Sequence, residues 1–317
     1  MLIVASSSYL MERVDKYLPN IYRYGDLYLF SNIKKFKQER TECPVYQNPQ
    51  GKINNVNFFL IGDSYTQYMP PSNFRFNQYT FTHWDIGITQ IDSLDKSKKN
   101  ILVIESTERY VRWRFNTAKA KSLIVIGASG NQDKKSKEVD IETYFKWQAE
   151  DNLDYILDYN DFAFFFKEIK AAINYYVFDK LDKRVTITND EKYIFYSETT
   201  DSTLATSSFN SVTKTQVDTM VNNINDTYRY YKKSGFDEIY LAIVPNAISI
   251  NMPKYGKYNN LIERIQNHKA LQMPVLNIYD VMTKASGNLY YMSDGHWNCE
   301  GQKVFLKALY DCEQVIK

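Results

Sequence analysis

Val56-Asn57-Phe58-Phe59-Leu60-Ile61-Gly62-Asp63-Ser64 is the stretch on which the fold turns. Its first part is nearly continuous in apolar residues, with no alternation. Such a run suits a strand buried on both faces of a parallel sheet, and the Gly62-Asp63-Ser64 turn ends it. Ile101–Glu105 and Leu123–Gly127 are two more runs of this kind, separated by a helical stretch around Tyr110–Lys121. Strand–helix–strand alternation predicts an α/β, doubly wound fold. The pattern resumes beyond residue 212. A helix capped by Thr215 keeps Val217, Met220, Val221, Ile224, Tyr228 and Tyr231 on one face and stops at Gly235. After it come a strand at Ile239–Val244, a helix near Asn259–His268, a strand at Val275–Ile278 and a last helix from Cys299 to Val315.

The remaining sequence divides around this core. Residues 1–50 read as an irregular N-terminal extension with a helical candidate at Ser31–Glu39, and residues 51–317 as the α/β domain. The domain is interrupted at about 130–212 by an inserted, mainly helical lobe. This lobe comprises a lysine-rich break at Gly130–Glu138, helices within the aromatic-dense Asp140–Phe178 (Asp161–Tyr176 above all), a hairpin at Thr186–Ser197 and a Ser/Thr-rich loop at Thr199–Ser211.

Composition excludes several classes. A net charge of +2 over 317 residues offers no electrostatic footprint for nucleic acid. No stretch approaches the roughly 18 apolar residues of a membrane span, and Met1–Leu10 lacks the basic start of a signal peptide, so a soluble chain is expected. Tyrosine and phenylalanine number 27 and 18, but Asn, Lys and Ile are abundant too, as AT-rich coding would produce. The three cysteines, Cys43, Cys299 and Cys312, show neither zinc spacing nor a disulfide framework; Cys299 and Cys312 sit too far apart along one helix to bridge each other.

Two short motifs can carry chemistry. Ser64 follows a buried strand, and in doubly wound folds ligands bind beyond the carboxyl ends of the strands. A serine past a tight glycine turn projects into that cleft beside free backbone N–H groups, a site for an oxyanion; alternatively Gly-Asp-Ser is only a turn. Ser293-Asp294-Gly295-His296-Trp297-Asn298 precedes the last helix. The chain has three histidines, and only His296 has a carboxylate two residues upstream to orient its ring, so it is the preferred general base. His268 reads as a surface residue, and His83, in Thr82-His83-Trp84-Asp85, is the weaker competitor.

Together, an N-terminal strand–Gly-Asp-Ser and a C-terminal Asp-x-His resemble the outer blocks of the SGNH (GDSL-type) hydrolases. The resemblance implies a three-layer α/β/α, flavodoxin-like parallel sheet and acyl-ester chemistry without metal or organic cofactor. Ser64 would be nucleophile, His296 base and Asp294 its orienting acid. Asp294-Gly295-His296-Trp297-Asn298, Glu105-Ser106-Thr107-Glu108-Arg109 and Ile243-Val244-Pro245-Asn246 are similar to segments of the alginate O-acetyltransferase-like (AlgX/AlgJ-like) branch. In that branch Asp-x-His precedes the serine segment; here the order is permuted, and no Gly-x-Asn-Asp oxyanion block occurs.

The branch implies acetyl transfer to or from a glycan, an extracytoplasmic setting and a membrane-bound O-acyltransferase partner; the hydrolytic counterpart is a carbohydrate O-acetylesterase, and a non-catalytic glycan-binding protein is the third reading. Arg109, Glu105 and Asn246 are candidates for substrate or oxyanion contact, with a structural Glu105–Arg109 ion pair at i,i+4 as the alternative. Tyr65 and Trp297 flank the proposed catalytic pair as wall residues or sugar platforms.

Overall fold

The computed structural model describes residues 21–47, 51–116, 122–126 and 161–312. Four strands form its central sheet: β1 (Ile53–Gly62), β2 (Phe76–His83), β3 (Lys99–Thr107) and β4 (Glu238–Val244). All neighbours are parallel, in the order β2-β1-β3-β4. The α/β class and its parallel sheet are therefore as expected. The apolar runs behave as two-faced strands. Val56, Phe58 and Leu60 face one core with Ile101, Val103, Tyr240 and Ala242, while Phe59 and Ile61 face another with Leu102, Ile104, Ile239 and Leu241. Helices Ile278–Lys284 and Cys299–Asp311 cover the first face. Glu108–Arg114, Lys214–Lys233 and Leu261–Gln266 cover the second.

Several local expectations change. β2 went unread because it is an edge strand: Asn77, Gln78, Thr80 and Thr82 interrupt its aromatic residues, so no continuous apolar run announces it. Leu123–Val125 pairs with Thr89–Ile91, outside the four-stranded sheet. The strand expected at Val275–Ile278 shrinks to one bridge between Val275 and Leu241. Asn277 accepts from Asp280 N–H and turns the chain into a helix at Ile278. Thr213, not Thr215, caps Lys214–Lys233, in a reciprocal capping box with Gln216. Gly235 follows that helix in the left-handed region, φ +100°, as its sequence position suggested.

The described residues fall into two compact units. The sheet and its helices belong to the unit drawn from Glu42–Gln132, Ser197–Tyr290 and His296–Lys317. The other draws on Met1–Thr41, Asp133–Tyr196 and Tyr291–Gly295. In this second unit the helix expected at Ser31–Glu39 is instead Asp26–Ser31, halted by Asn32 at φ 49° and followed by a tight turn at Lys34–Phe36. Leu27, Ile33 and Phe36 pack with Val185 and Ile194 from the antiparallel hairpin Val185–Ile187/Ile194–Tyr196, the hairpin read from sequence. Helix Asp161–Phe178 adds Ala171 and Tyr175 to this cluster. The sequence expectations for Gly130–Glu138 and for the helices before Asp161 lie outside the described residues.

Candidate active site

β1 and β3 are neighbours whose chains continue to opposite sides of the sheet, β2 on one flank and β4 on the other. The crevice beyond their carboxyl ends is the topological switch point, where doubly wound folds place ligands. Ser64 leaves β1 at this point as the first residue of a single helical turn, Ser64–Gln67. Asp63 caps the turn by accepting from Tyr65 N–H at 3.0 Å. Gly62 is required for space: a Cβ there would collide with Thr66 Oγ1 and stand 2.9 Å from Glu105 Oε2.

Glu105, fully buried near the end of β3, accepts from Asp63 N–H at 2.9 Å and Thr66 Oγ1–H at 3.2 Å. Burial first, and the Asp63 carboxylate next, push its carboxyl well above the usual range, against the pull of Arg114. Asp63 goes the other way. Burial would raise it, but the Arg114 guanidinium at 2.8 Å, with the bond from Tyr65 N–H, holds it below the usual range. Two buried carboxyls thus sit under the serine turn, shifted in opposite directions, Asp63 down against Arg114 and Glu105 up by burial. Arg114 and the structural role of Asp63 were missed in the sequence. Only a register linking β1, β3 and Glu108–Arg114 brings Arg114 beneath Asp63.

His296 comes from the other end of the chain. Trp297 forms an antiparallel bridge with Tyr290, and Asn298 caps Cys299–Asp311 by accepting from Glu300 and Gly301 N–H. His296 Nε2 lies 2.8 Å from Ser64 Oγ. The Tyr65 ring stands 4.8 Å from the imidazole, and Trp297 packs edge-on to Tyr65 at 5.4 Å. Trp297 is 1% exposed, so it is wall rather than platform. Tyr68, absent from the sequence-based candidates, is 63% exposed with its ring 6.2 Å from His296. Its only sequence signal is its place four residues after Ser64.

A Cys43–Cys299 disulfide, Cα–Cα 5.2 Å, pins the helix start three residues after His296. The expectation of no disulfide framework is thereby corrected. Its partners are 256 residues apart, so no local spacing signals the pair. The other two histidines are engaged elsewhere: His268 Nε2 with Asp218 at 3.0 Å, and His83 Nδ1 as acceptor for Asp85 N–H at 3.1 Å.

Asp294 belongs to the second compact unit. It is buried, and its Oδ2 lies 3.1 Å from Arg40 Nη1. Its segment is strapped down within that unit: Tyr28 N–H donates to Ser293 O, Met292 N–H to Gln38 Oε1 and Gly295 N–H to Asp26 Oδ1, at 2.9–3.0 Å. Asp26 and Arg40 carry no motif and were not candidates in the sequence.

The remaining candidates form the rim after β3 and β4. Arg109 pairs with Glu198 at 3.4 Å, while Glu105 stays in β3; the expected Glu105–Arg109 ion pair is replaced because Glu105 faces the serine turn. Burial works against the Arg109 charge, and Tyr65, Tyr110, Glu198 and Asp63 more than restore it. Asn246 gives its backbone N–H to Glu108 Oε2 at 2.9 Å and its side-chain amide to Ser208 Oγ at 2.9 Å, so it is a network member that fixes the loop after β4. Ser249 Oγ completes that network at 2.7 Å from Glu108 Oε2. Burial raises the Glu108 carboxyl despite these bonds.

The arrangement offers a hydroxyl hydrogen-bonded to an imidazole, on a turn fixed from below, with an exposed tyrosine beside it. The chain matches no known protein family. It also matches no curated protein and no solved structure.

Proposed function

We propose that the chain is a serine-dependent O-acyltransferase of the SGNH type, with a flavodoxin-like three-layer core, moving acyl groups, acetyl above all, to or from a glycan through acyl-Ser64. One observation carries the reading. Ser64 Oγ and His296 Nε2, 232 residues apart in sequence, meet at 2.8 Å beside the switch point of a parallel sheet.

In the proposed reaction Ser64 Oγ attacks the acyl carbonyl as His296 Nε2 takes its proton. His296 then gives that proton to the departing alcohol. An acceptor hydroxyl loses its proton to His296 and attacks the acyl-serine, which releases Ser64 as the proton returns to it. Asp294 is proposed as the acid that orients His296. The steps call for no metal or organic cofactor. Tyr68 supports a sugar as acceptor, because an exposed ring beside the base gives a pyranose a face to stack on. The Cys43–Cys299 disulfide supports an extracytoplasmic, oxidising setting. A membrane-bound O-acyltransferase that supplies acetyl groups is the partner proposed from the family resemblance.

The test is an organophosphonate trap read by peptide mass spectrometry, joined to an acetyl-ester time course with candidate oligosaccharides. Labelling of Ser64 and transfer of one acetyl group to sugar are expected. Ser64→Ala should cost at least about a thousandfold in turnover, roughly 4 kcal/mol of transition-state stabilisation. Rapid acetate release with no acetylated sugar at any acceptor concentration would convert the proposal to a carbohydrate O-acetylesterase. An unlabelled Ser64 and no turnover would leave a glycan-binding protein.

A further inference from the structure

Glu105 stands where the sheet calls for an apolar residue. Side chains alternate along a strand, so Ile101, Val103 and Glu105 of β3 share one face, as do Phe58, Leu60 and Gly62 of the neighbouring β1. Ile101, Val103, Phe58 and Leu60 pack into the core on that face. Gly62 adds no side chain there, and the Glu105 carboxyl takes the space: a Cβ on Gly62 would stand 2.9 Å from Glu105 Oε2. Glu105 is 0% exposed, and its Oε1 has no hydrogen-bond partner among the described residues. Enclosing a carboxyl in this way opposes folding, and a leucine would fill the same space without that penalty.

The bonds that the carboxyl does make are all local to Ser64. Oε2 accepts from Asp63 N–H at 2.9 Å and from Thr66 Oγ1–H at 3.2 Å, the residue before the serine and the residue two after it. The Asp63 carbonyl in turn accepts from Thr66 N–H at 3.1 Å and Gln67 N–H at 2.9 Å. One oxygen from the neighbouring strand therefore ties together the entry and the return of the turn. That turn carries Ser64 Oγ to 2.8 Å from His296 Nε2. A residue so enclosed acts through the turn rather than by touching a substrate. Buried titratable groups of this kind gather at functional sites.

We propose that Glu105 is the positioning residue of the nucleophile, the acceptor that holds Ser64 within hydrogen-bonding reach of His296. The inference rests on the reading of Ser64 as nucleophile and His296 as base, and deepens it. It is tested in the full chain with Glu105→Leu, Glu105→Gln and Thr66→Val. Leucine keeps the volume and removes the acceptor, glutamine keeps an acceptor oxygen, and valine removes one of the two donors. Two readouts are taken. The first is kcat and KM for an acetyl ester. The second is the Nε2 resonance of His296, one of three histidines, in protein labelled with nitrogen-15 histidine; it reports the bond to Ser64 whatever the turnover. Glu105→Leu, folded by circular dichroism, is expected to lose about a hundredfold in kcat with KM little changed, and to move the His296 resonance to its place in Ser64→Ala. Glu105→Gln should restore most of the kcat and the wild-type resonance, and Thr66→Val should lose roughly tenfold in kcat. Wild-type kcat and resonance in Glu105→Leu and Thr66→Val, with only stability lowered, would overturn the proposal. So would glutamine as damaging as leucine, or a loss confined to KM. If Glu105→Leu does not fold, Thr66→Val decides by the same two readouts. A wild type that turns over no ester defeats the acyl chemistry, and the resonances alone then uphold or overturn the positioning.

Discussion

Replacing Arg114 by leucine strands a buried charge at the root of the serine turn. The Arg114 side chain is 1% exposed and its partner Asp63 6%. Nη1 donates to Asp63 Oδ2 at 2.8 Å and Ser106 Oγ at 3.1 Å, and the guanidinium lies 5.2 Å from the ring centres of Trp84 and Tyr110. Removing one partner of so buried a pair costs about 3–5 kcal/mol. Asp63 keeps donors from Tyr65 N–H and Thr107 Oγ1–H, so the lower end, about 3 kcal/mol, is expected.

The pH dependence has a definite sign. The folded pKa of Asp63 is depressed, so the stability it contributes is present above the ordinary aspartate value of about 3.9 and is lost as pH falls through the folded one. Without Arg114, burial dominates and moves the carboxyl upward. Acidification then neutralises the stranded charge and reduces the penalty. Urea unfolding of wild type, Arg114→Leu, Asp63→Asn and the double variant, at neutral and mildly acid pH, measures this. The expected pattern is a loss of about 3 kcal/mol at neutral pH, a smaller loss in acid, and partial recovery in the double variant. A penalty below about 1 kcal/mol, equal at both pH values, would refute the buried-pair account.

Three further outcomes are expected. Glu105→Gln should gain on wild type as pH rises, because a raised folded pKa contributes stability below the ordinary glutamate value of about 4.3 and loses it at up to about 1.4 kcal/mol per pH unit above; parallel stability curves across this range would contradict it. Gly62→Ala should cost about 1–3 kcal/mol through the Thr66 and Glu105 collisions and displace Ser64, so thermal stability and turnover fall together. Cys43→Ser should cost about 2–5 kcal/mol, and reductant should reproduce the loss in wild type; a melting temperature unmoved by both would remove the disulfide.

What the sequence made legible depended on whether the signal was local. β1 and β3 stood out because both faces are buried at their centres: Asn57 alone interrupts the apolar residues from Val56 to Ile61, and nothing interrupts those from Ile101 to Ile104, while Asn57 and Asn100 hydrogen-bond each other at 3.3 Å. Ser64 and His296 were legible as candidates because each lies at the end of a regular element, where turn and cap residues leave a pattern. Arg114 and the Cys43–Cys299 pair were illegible for the opposite reason: their partners are fixed by sheet register and long-range closure. The role assigned to Asn246 changed because its position after β4 was readable but its partners, Glu108 and Ser208, were not. Tyr68 was hidden by the shortness of its helix, a single turn with no periodicity to read.

The disulfide also sets an order of events during synthesis. Cys43 emerges from the ribosome 256 residues before Cys299. At 5–20 residues per second its thiol waits roughly 13–50 s without its mate. Cys312 follows thirteen residues behind Cys299, ready to compete as an incorrect partner. The strand that presents Ser64 can pair with β2 and β3 while the peptide supplying His296 is still untranslated. A serine turn can thus form before His296 has been made, and the Cys43–Cys299 closure can only follow both.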